Sequence, residues 1–351
     1  MTLDGMTKAL LLLGGAGIAL SRIKRARRRL DFAGRSVVIA GGSRGLGLAI
    51  ARQLVDEGAD VTLLARDRSE LDRATNELEE RNPRTIPLGL VCDVTDRAQV
   101  DEAIRFVAES HGRIDVLLNV AGVIQVGPWE QMAVEDYENA FAVHFWGPLH
   151  TMRAVIPHMS KRGLGRIANI SSVGGAVGVP HLLPYASSKS ALIGLSDGLR
   201  AELVTRGIRV TTVVPGLMRT GSHVKALFKG QQEKEYAWFA TADATPGISL
   251  AADKAARRVI EAVRFGDFHV AIGWPARMAE LMQGLAPGFT AAALALGNRL
   301  LPGPSGAPGA DVAVPGGQTE AHRQAEARGS VLTANADQAI GMMNQDPQRS
   351  S

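Results

Sequence analysis

A single cysteine, Cys92, in a chain of 351 residues excludes an internal disulfide framework and fits a reducing compartment. Metal chemistry lacks support too, because none of the eight histidines stands in a His-x-His or His-Glu-x-x-His arrangement. Neither sign of charge dominates. The net charge of +4 is local: Arg22, Lys24, Arg25, Arg27, Arg28 and Arg29 supply six positives, and without them the balance is −2. A near-neutral body argues against a nucleic-acid partner. The apolar run ALLLLGGAGIAL at 9–20 has twelve residues, whereas a membrane-spanning helix needs about twenty. It is a poor secretory signal, since its charges follow it and no small-residue cleavage site does. Two readings stay open for residues 1–34. One is an anchor or interfacial helix with a polybasic stop, holding the chain at the cytoplasmic face of a membrane through residues 9–29. The other is a helix packed on the protein's own body or on a second subunit.

With 46% hydrophobic residues, the chain can bury a sizeable core. Short β-branched runs recur at 36–40, 60–64, 85–91, 115–120, 166–171, 209–214 and 268–273, with helical patterns such as 46–58 and 69–81 between them. That alternation predicts an α/β fold: a single doubly wound parallel sheet of Rossmann type over 35–275, buried on both faces. Residues 276–301 read as two apolar helices, a C-terminal extension that covers the substrate cleft, pairs subunits or touches the membrane. Residues 302–351 turn to Pro, Gly, Ala, Ser and Gln and are expected to be largely disordered.

The first strand runs into AGGSRGLGLAI at 40–50 and then a helix. Gly41, Gly45 and Gly47 permit a tight turn, close approach to a pyrophosphate and close helix–strand contact. After the second strand come Ala65 and Arg66 in place of the acidic residue that would accept from a ribose 2′-hydroxyl. Arg66 and Arg44 suit a 2′-phosphate, so NADP(H) is preferred to NAD(H), although Asp67 follows at once. Farther on, LPYASSKSAL at 183–192 sets Tyr185 and Lys189 one helical turn apart on one face. An ammonium beside a phenol favours phenolate and makes a proton donor usable near neutral pH.

Together these segments resemble the short-chain dehydrogenase/reductase family, classical type, over about 35–273. Segment 40–47 resembles its Thr-Gly-x-x-x-Gly-x-Gly loop, with Ala40 for Thr, and implies cofactor contacts from Ser43 and Leu46 beside the glycines and Arg44. CDV at 92–94 implies Asp93 and Val94 near the adenine. NVAG at 119–122 resembles Asn-Asn-Ala-Gly and implies Asn119, Ala121 and Gly122; Asn119 is expected to hold backbone geometry. VPGLMRT at 214–220 implies Pro215, Gly216 and Thr220 beside the nicotinamide. Ser172, thirteen residues before Tyr185, matches the family serine that binds the substrate carbonyl. The resemblance makes Tyr185 the general acid or base, with Lys189 lowering its pKa and bonding the nicotinamide ribose.

One position departs. VHFWG at 143–147 carries His144 where the family has an asparagine that links the lysine to solvent through water. His144 either takes over that relay as a catalytic group or caps and packs its helix. The variable segment 221–247, with Phe228, Trp238 and Phe239, and with Trp146, Leu182 and Leu183 nearby, either lines an apolar cleft or packs on itself. The expected activity is hydride transfer between NADP(H) and a hydrophobic carbonyl or alcohol, by a homo-oligomer. The alternative is a catalytically weak NADP-binding regulator or scaffold.

Overall fold

The computed structural model describes residue 23 and residues 25–245, 247–322 and 340–345. The apolar run 9–20, Arg22, Lys24 and tail residues 323–339 and 346–351 lie outside the described residues. Seven parallel strands form the central sheet: β1 Ser36–Ala40, β2 Asp60–Ala65, β3 Leu88–Val91, β4 Val116–Asn119, β5 Gly165–Ile170, β6 Ile208–Pro215 and β7 His269–Ile272. Their spatial order is β7-β6-β5-β4-β1-β2-β3. The chain reverses its direction of travel across the sheet between β1 and β4, and a crevice opens beyond the carboxyl ends of the strands there.

Strand side chains alternate between two cores. Val37 and Ile39 face one core with α1 (Gly45–Asp56), α2 (Arg68–Arg81) and, further along the chain, the helix Ala252–Phe265. Val38 and Ala40 face the other with α3 (Arg97–His111) and with helix Gly147–Arg162. Both faces are therefore apolar, which explains why the strands read as continuous hydrophobic runs. The third strand begins at Leu88 rather than near Thr85. Pro87 cannot donate to a ladder, and the Thr85 N–H bonds back to the Asn82 carbonyl.

Helix α4 (Val134–Phe141) passes through one wide turn, Ala142–Trp146, into α5 (Gly147–Arg162). After β5 comes α6 (Leu183–Leu203), which carries Tyr185 and Lys189 in its first two turns. Then follow α7 (Gln232–Ala244), α8 (Ala252–Phe265), α9 (Trp274–Leu285) and α10 (Pro287–Asn298). The body begins before the sheet, for Leu30 and Phe32 are buried and the Leu30 N–H donates to the Arg264 carbonyl.

The composition of 302–351 misleads where the tail is described. Val314–Pro315 pairs antiparallel with Leu227–Phe228, and Thr319 and His322 are buried. Residues 340–345 lie against the glycine loop and the helix after it, where the Gly45 N–H donates to the Met343 carbonyl and Arg52 Nη2 donates to the Met342 carbonyl at 2.6 Å. A segment without periodicity is ordered here because distant elements satisfy its backbone groups.

Candidate active site

An open cleft of about 760 Å³ lies at the crevice and runs from the glycine loop to Ser172 and Tyr185. Gly41 and the residues Ser43 through Gly47 form one wall, and Ala121 and Gly122 the floor. Arg66, Asp93 and Val94 stand at the ends of the adjoining strands, with Pro215, Gly216 and Thr220 on the far side. The glycines are demanded by geometry. A Cβ on Gly41, whose φ is +85°, would lie 2.5 Å from the Ala121 nitrogen, and one on Gly47 would strike the Gly41 carbonyl. A cradle closed to side chains, at the start of a helix, fits a dinucleotide pyrophosphate.

Two features of that wall escape sequence reasoning. Glu70 is buried beneath it, accepting from Ser43 Oγ at 3.1 Å and from Arg44 Nη1 at 3.2 Å. Its place in the first turn of α2 gave no motif to read. The second is the tail: the Gly45 N–H donates to the Met343 carbonyl at 2.9 Å, Asn344 Nδ2 donates to the Ser43 carbonyl at 2.9 Å, and Gln345 lines the cleft. Asp67 serves as the N-cap of α2, accepting from the Glu70 N–H at 2.9 Å, and that bond holds its carboxyl below the usual range. Arg66 is exposed and stands 3.8 Å from Asp93.

At the other end, the Ser172 hydroxyl accepts from the Gly174 N–H at 3.1 Å and bonds the Tyr185 side chain. Lys189 lies behind the tyrosine, its Nζ 5.8 Å from the ring centroid and donating to the Ile170 carbonyl at 2.6 Å. Burial draws the Lys189 ammonium down to about 7. Burial also pushes the Tyr185 phenol up, against the bond from Ser172. At the phenol, burial is the larger influence and the Ser172 bond the smaller. Lys189 and Asn119 sit beneath the cleft. Asn119 donates to Asn169 Oδ1 at 2.8 Å and accepts from Thr151 Oγ1 at 2.7 Å, which joins β4, β5 and α5.

His144 enters the interior from the wide turn, fully buried, its ring edge-on to Tyr185 with centroids 5.3 Å apart. Its Nε2 accepts from the Val123 N–H at 3.1 Å, so Nδ1 carries the proton toward Ser188 Oγ at 2.8 Å. Burial, helped by the Lys189 charge, takes its pKa well below 6.5. Of the two readings of His144, these contacts favour packing: both nitrogens are engaged, and the ring holds the Val123 backbone and packs against Tyr185.

The aromatics of the variable segment turn inward. Phe228, Tyr236 and Phe239 form a satellite core with Val126, against which Leu182 and Trp238 pack. Trp146 is half exposed on the outside. The apolar lining of the cleft comes instead from Ile124, Val143, Met218, Ala226 and Leu227.

A doubly wound sheet, a glycine cradle at its switch point and a serine–tyrosine pair facing the same crevice define an oxidoreductase built around a nicotinamide dinucleotide. A model of the short-chain dehydrogenase family matches residues 35–230. The 3-ketodihydrosphingosine reductase of Bos taurus is 31% identical over 262 residues, 74% of this chain and 77% of that one. Dehydrogenase/reductase SDR family member 7B of Danio rerio is 34% identical over 217 residues, 61% of this chain and 70% of that one. A solved short-chain dehydrogenase from Streptomyces avermitilis superposes with a TM-score of 0.63 at 30% identity, over 76% of this chain and 98% of that one. The chain belongs to the short-chain dehydrogenase/reductase family and is an oxidoreductase.

Proposed function

We propose that the protein reduces a long-chain ketone or aldehyde with NADPH, at the cytoplasmic face of a membrane and as a homo-oligomer. The observation that carries this reading is the Ser172–Tyr185 pair, with Lys189 behind it, at the apolar end of a cleft whose other end is the glycine cradle. When bound, the cofactor supplies the hydride. Gly41, Ser43, Gly45, Leu46 and Gly47 would receive its pyrophosphate, Asp93 and Val94 its adenine, and Ala121, Gly122, Pro215, Gly216 and Thr220 its nicotinamide half. Preference for NADP(H) is supported by Arg44 and Arg66 at the ribose end and by Asp67, whose carboxylate is spent on capping α2.

Ser172 Oγ donates a hydrogen bond to the substrate carbonyl oxygen, and Tyr185 Oη delivers the proton to that oxygen. A phenol pushed up by burial is fully protonated at neutral pH, which supports the reductive direction. Lys189 Nζ, fixed by its bond to the Ile170 carbonyl, would bond the nicotinamide ribose. The long apolar substrate is supported by Ile124, Val143, Met218 and Leu227 around the cleft and by the likeness to a 3-ketodihydrosphingosine reductase. Pairing of subunits through α5 and α6 is supported by the groove between them, with half-buried Leu149, Ile156 and Leu199.

The test is NADPH oxidation followed by absorbance against 3-keto sphingoid bases, long-chain aldehydes and short soluble ketones, with Tyr185→Phe alongside. Turnover confined to long chains and reduced by about 10²–10⁴ in the variant is expected. Tight NADPH binding with no turnover on any substrate would overturn the reading in favour of a regulator.

A further inference from the structure

The hairpin of α9 and α10 presents an apolar surface that the described residues leave uncovered. No charged residue occurs from 281 to 298. In α10 only Thr290 is buried, while Phe289 is 64% exposed and Leu296 63%; Leu285, at the end of α9, is 74% exposed. Trp274, Met278 and Leu281 extend the same exposure along α9. Burying one such side chain is worth about 1.5–3 kcal/mol, so a patch of this size marks a binding surface.

Its position identifies the occupant. At one end, Trp274 Nε1 donates to the Gly247 carbonyl, beside the segment that follows α7 at the substrate side. At the other, His269 Nε2 and Glu280 Oε1 are 2.7 Å apart, two residues along the chain from Asp267. Asp267 accepts from Arg25 through both carboxylate oxygens at 2.8 Å, and the Arg25 guanidinium lies 3.9 Å from the Phe265 ring centroid. The polybasic segment is thus held at the turn before β7, the strand that α9 packs on, with Arg27 and Arg29 exposed and Arg299 exposed directly after α10. An uncharged apolar stretch followed at once by Arg299, on a chain that also exposes Arg27 and Arg29, complements acyl chains beneath anionic head groups.

We propose that the α9–α10 hairpin is a monotopic lipid-docking element that seats this edge of the molecule in an anionic bilayer, beside the mouth of the catalytic cleft. The inference rests on the membrane and long-chain substrate reading above and assigns it a surface independent of residues 9–20.

The test uses the full chain and vesicles of phosphatidylcholine alone or mixed with phosphatidylglycerol. Co-sedimentation with the mixed vesicles is expected, and Phe289→Glu with Leu296→Glu weakens it by at least about tenfold, with the thermal midpoint and NADPH binding retained. In the unmutated fold, brominated lipids quench tryptophan fluorescence, and Trp274→Phe removes most of that quenching. Undiminished sedimentation of the double variant, or quenching that survives Trp274→Phe, overturns the proposal. So does a double variant that turns an oligomer into a monomer with vesicle binding unchanged, since a second copy then covers the hairpin. Vesicle binding that follows the hairpin while no long-chain ketone is reduced leaves the docking surface standing and refutes the substrate reading alone.

Discussion

At the scale of the residue, burial decides more of the chemistry than pairing does. Tyr185 and Lys189 are both shifted toward their neutral forms, the phenol upward and the ammonium downward to about 7. His144 obeys the same rule, with burial the larger cause and the Lys189 charge the smaller. The sign of its effect on stability follows. Above pH 6.5 the imidazole is neutral in folded and unfolded chains alike; below it the unfolded chain takes up a proton that the folded one refuses. The wild type is therefore expected to lose stability relative to His144→Asn as pH falls below 6.5, at up to about 1.4 kcal/mol per pH unit. Urea unfolding of both proteins between pH 7 and pH 5 checks it. Parallel stability curves would show that the ring titrates freely and would restore the relay. The exchange at His144 was legible in the sequence, but its consequence was not: Ser188 and Val123, its two partners, come from other elements.

At the scale of the element, Asp136 shows how one side chain holds the substrate side of the cleft. It accepts from the Ala133 N–H at 2.8 Å, from Gln125 Nε2 at 2.6 Å and from Lys229 Nζ at 2.7 Å. The start of α4 is thereby tied to the paired segments Gln125–Val126 and Leu227–Phe228. Burial opposes ionisation, yet the Lys229 bond and the other donors win and hold the carboxyl below its usual range. Asp136→Ala would leave Lys229 buried without its carboxylate, at an expected cost of about 3 kcal/mol or more. Thermal unfolding reads the loss, and a raised KM for long-chain substrate with little change in kcat would locate it at the cleft. The strands and main helices were legible because each carries its own period. This tie was not, since Asp136 and Lys229 are 93 residues apart and share no pattern.

At the scale of the whole molecule, the chain folds its own end onto its cofactor cradle. Met343 is buried in the main core, and Asn344 also bonds the Glu70 carbonyl and Arg73. The Gly45 N–H taken by Met343 belongs to the turn that the fold offers to a pyrophosphate. Deleting residues 340–351 is expected to tighten NADPH binding several-fold, measured by fluorescence titration of both proteins. A weaker Kd after deletion would mean that Gln345 belongs to the cofactor site and does not compete for it.

The sequence by itself determined the sheet, the glycine cradle and the serine, tyrosine and lysine of the site, because each depends on neighbours a few residues away: a strand on its β-branched run, the cradle on side chains that are missing, the pair on one helical turn. Only the tertiary structure decided how those groups are tuned and what surrounds them. Burial of Lys189, the neutrality of His144, the carboxylate of Glu70 under Arg44 and the seat of the tail at Gly45 all arise where segments far apart in the chain exclude water from the same place, and no local pattern records that exclusion.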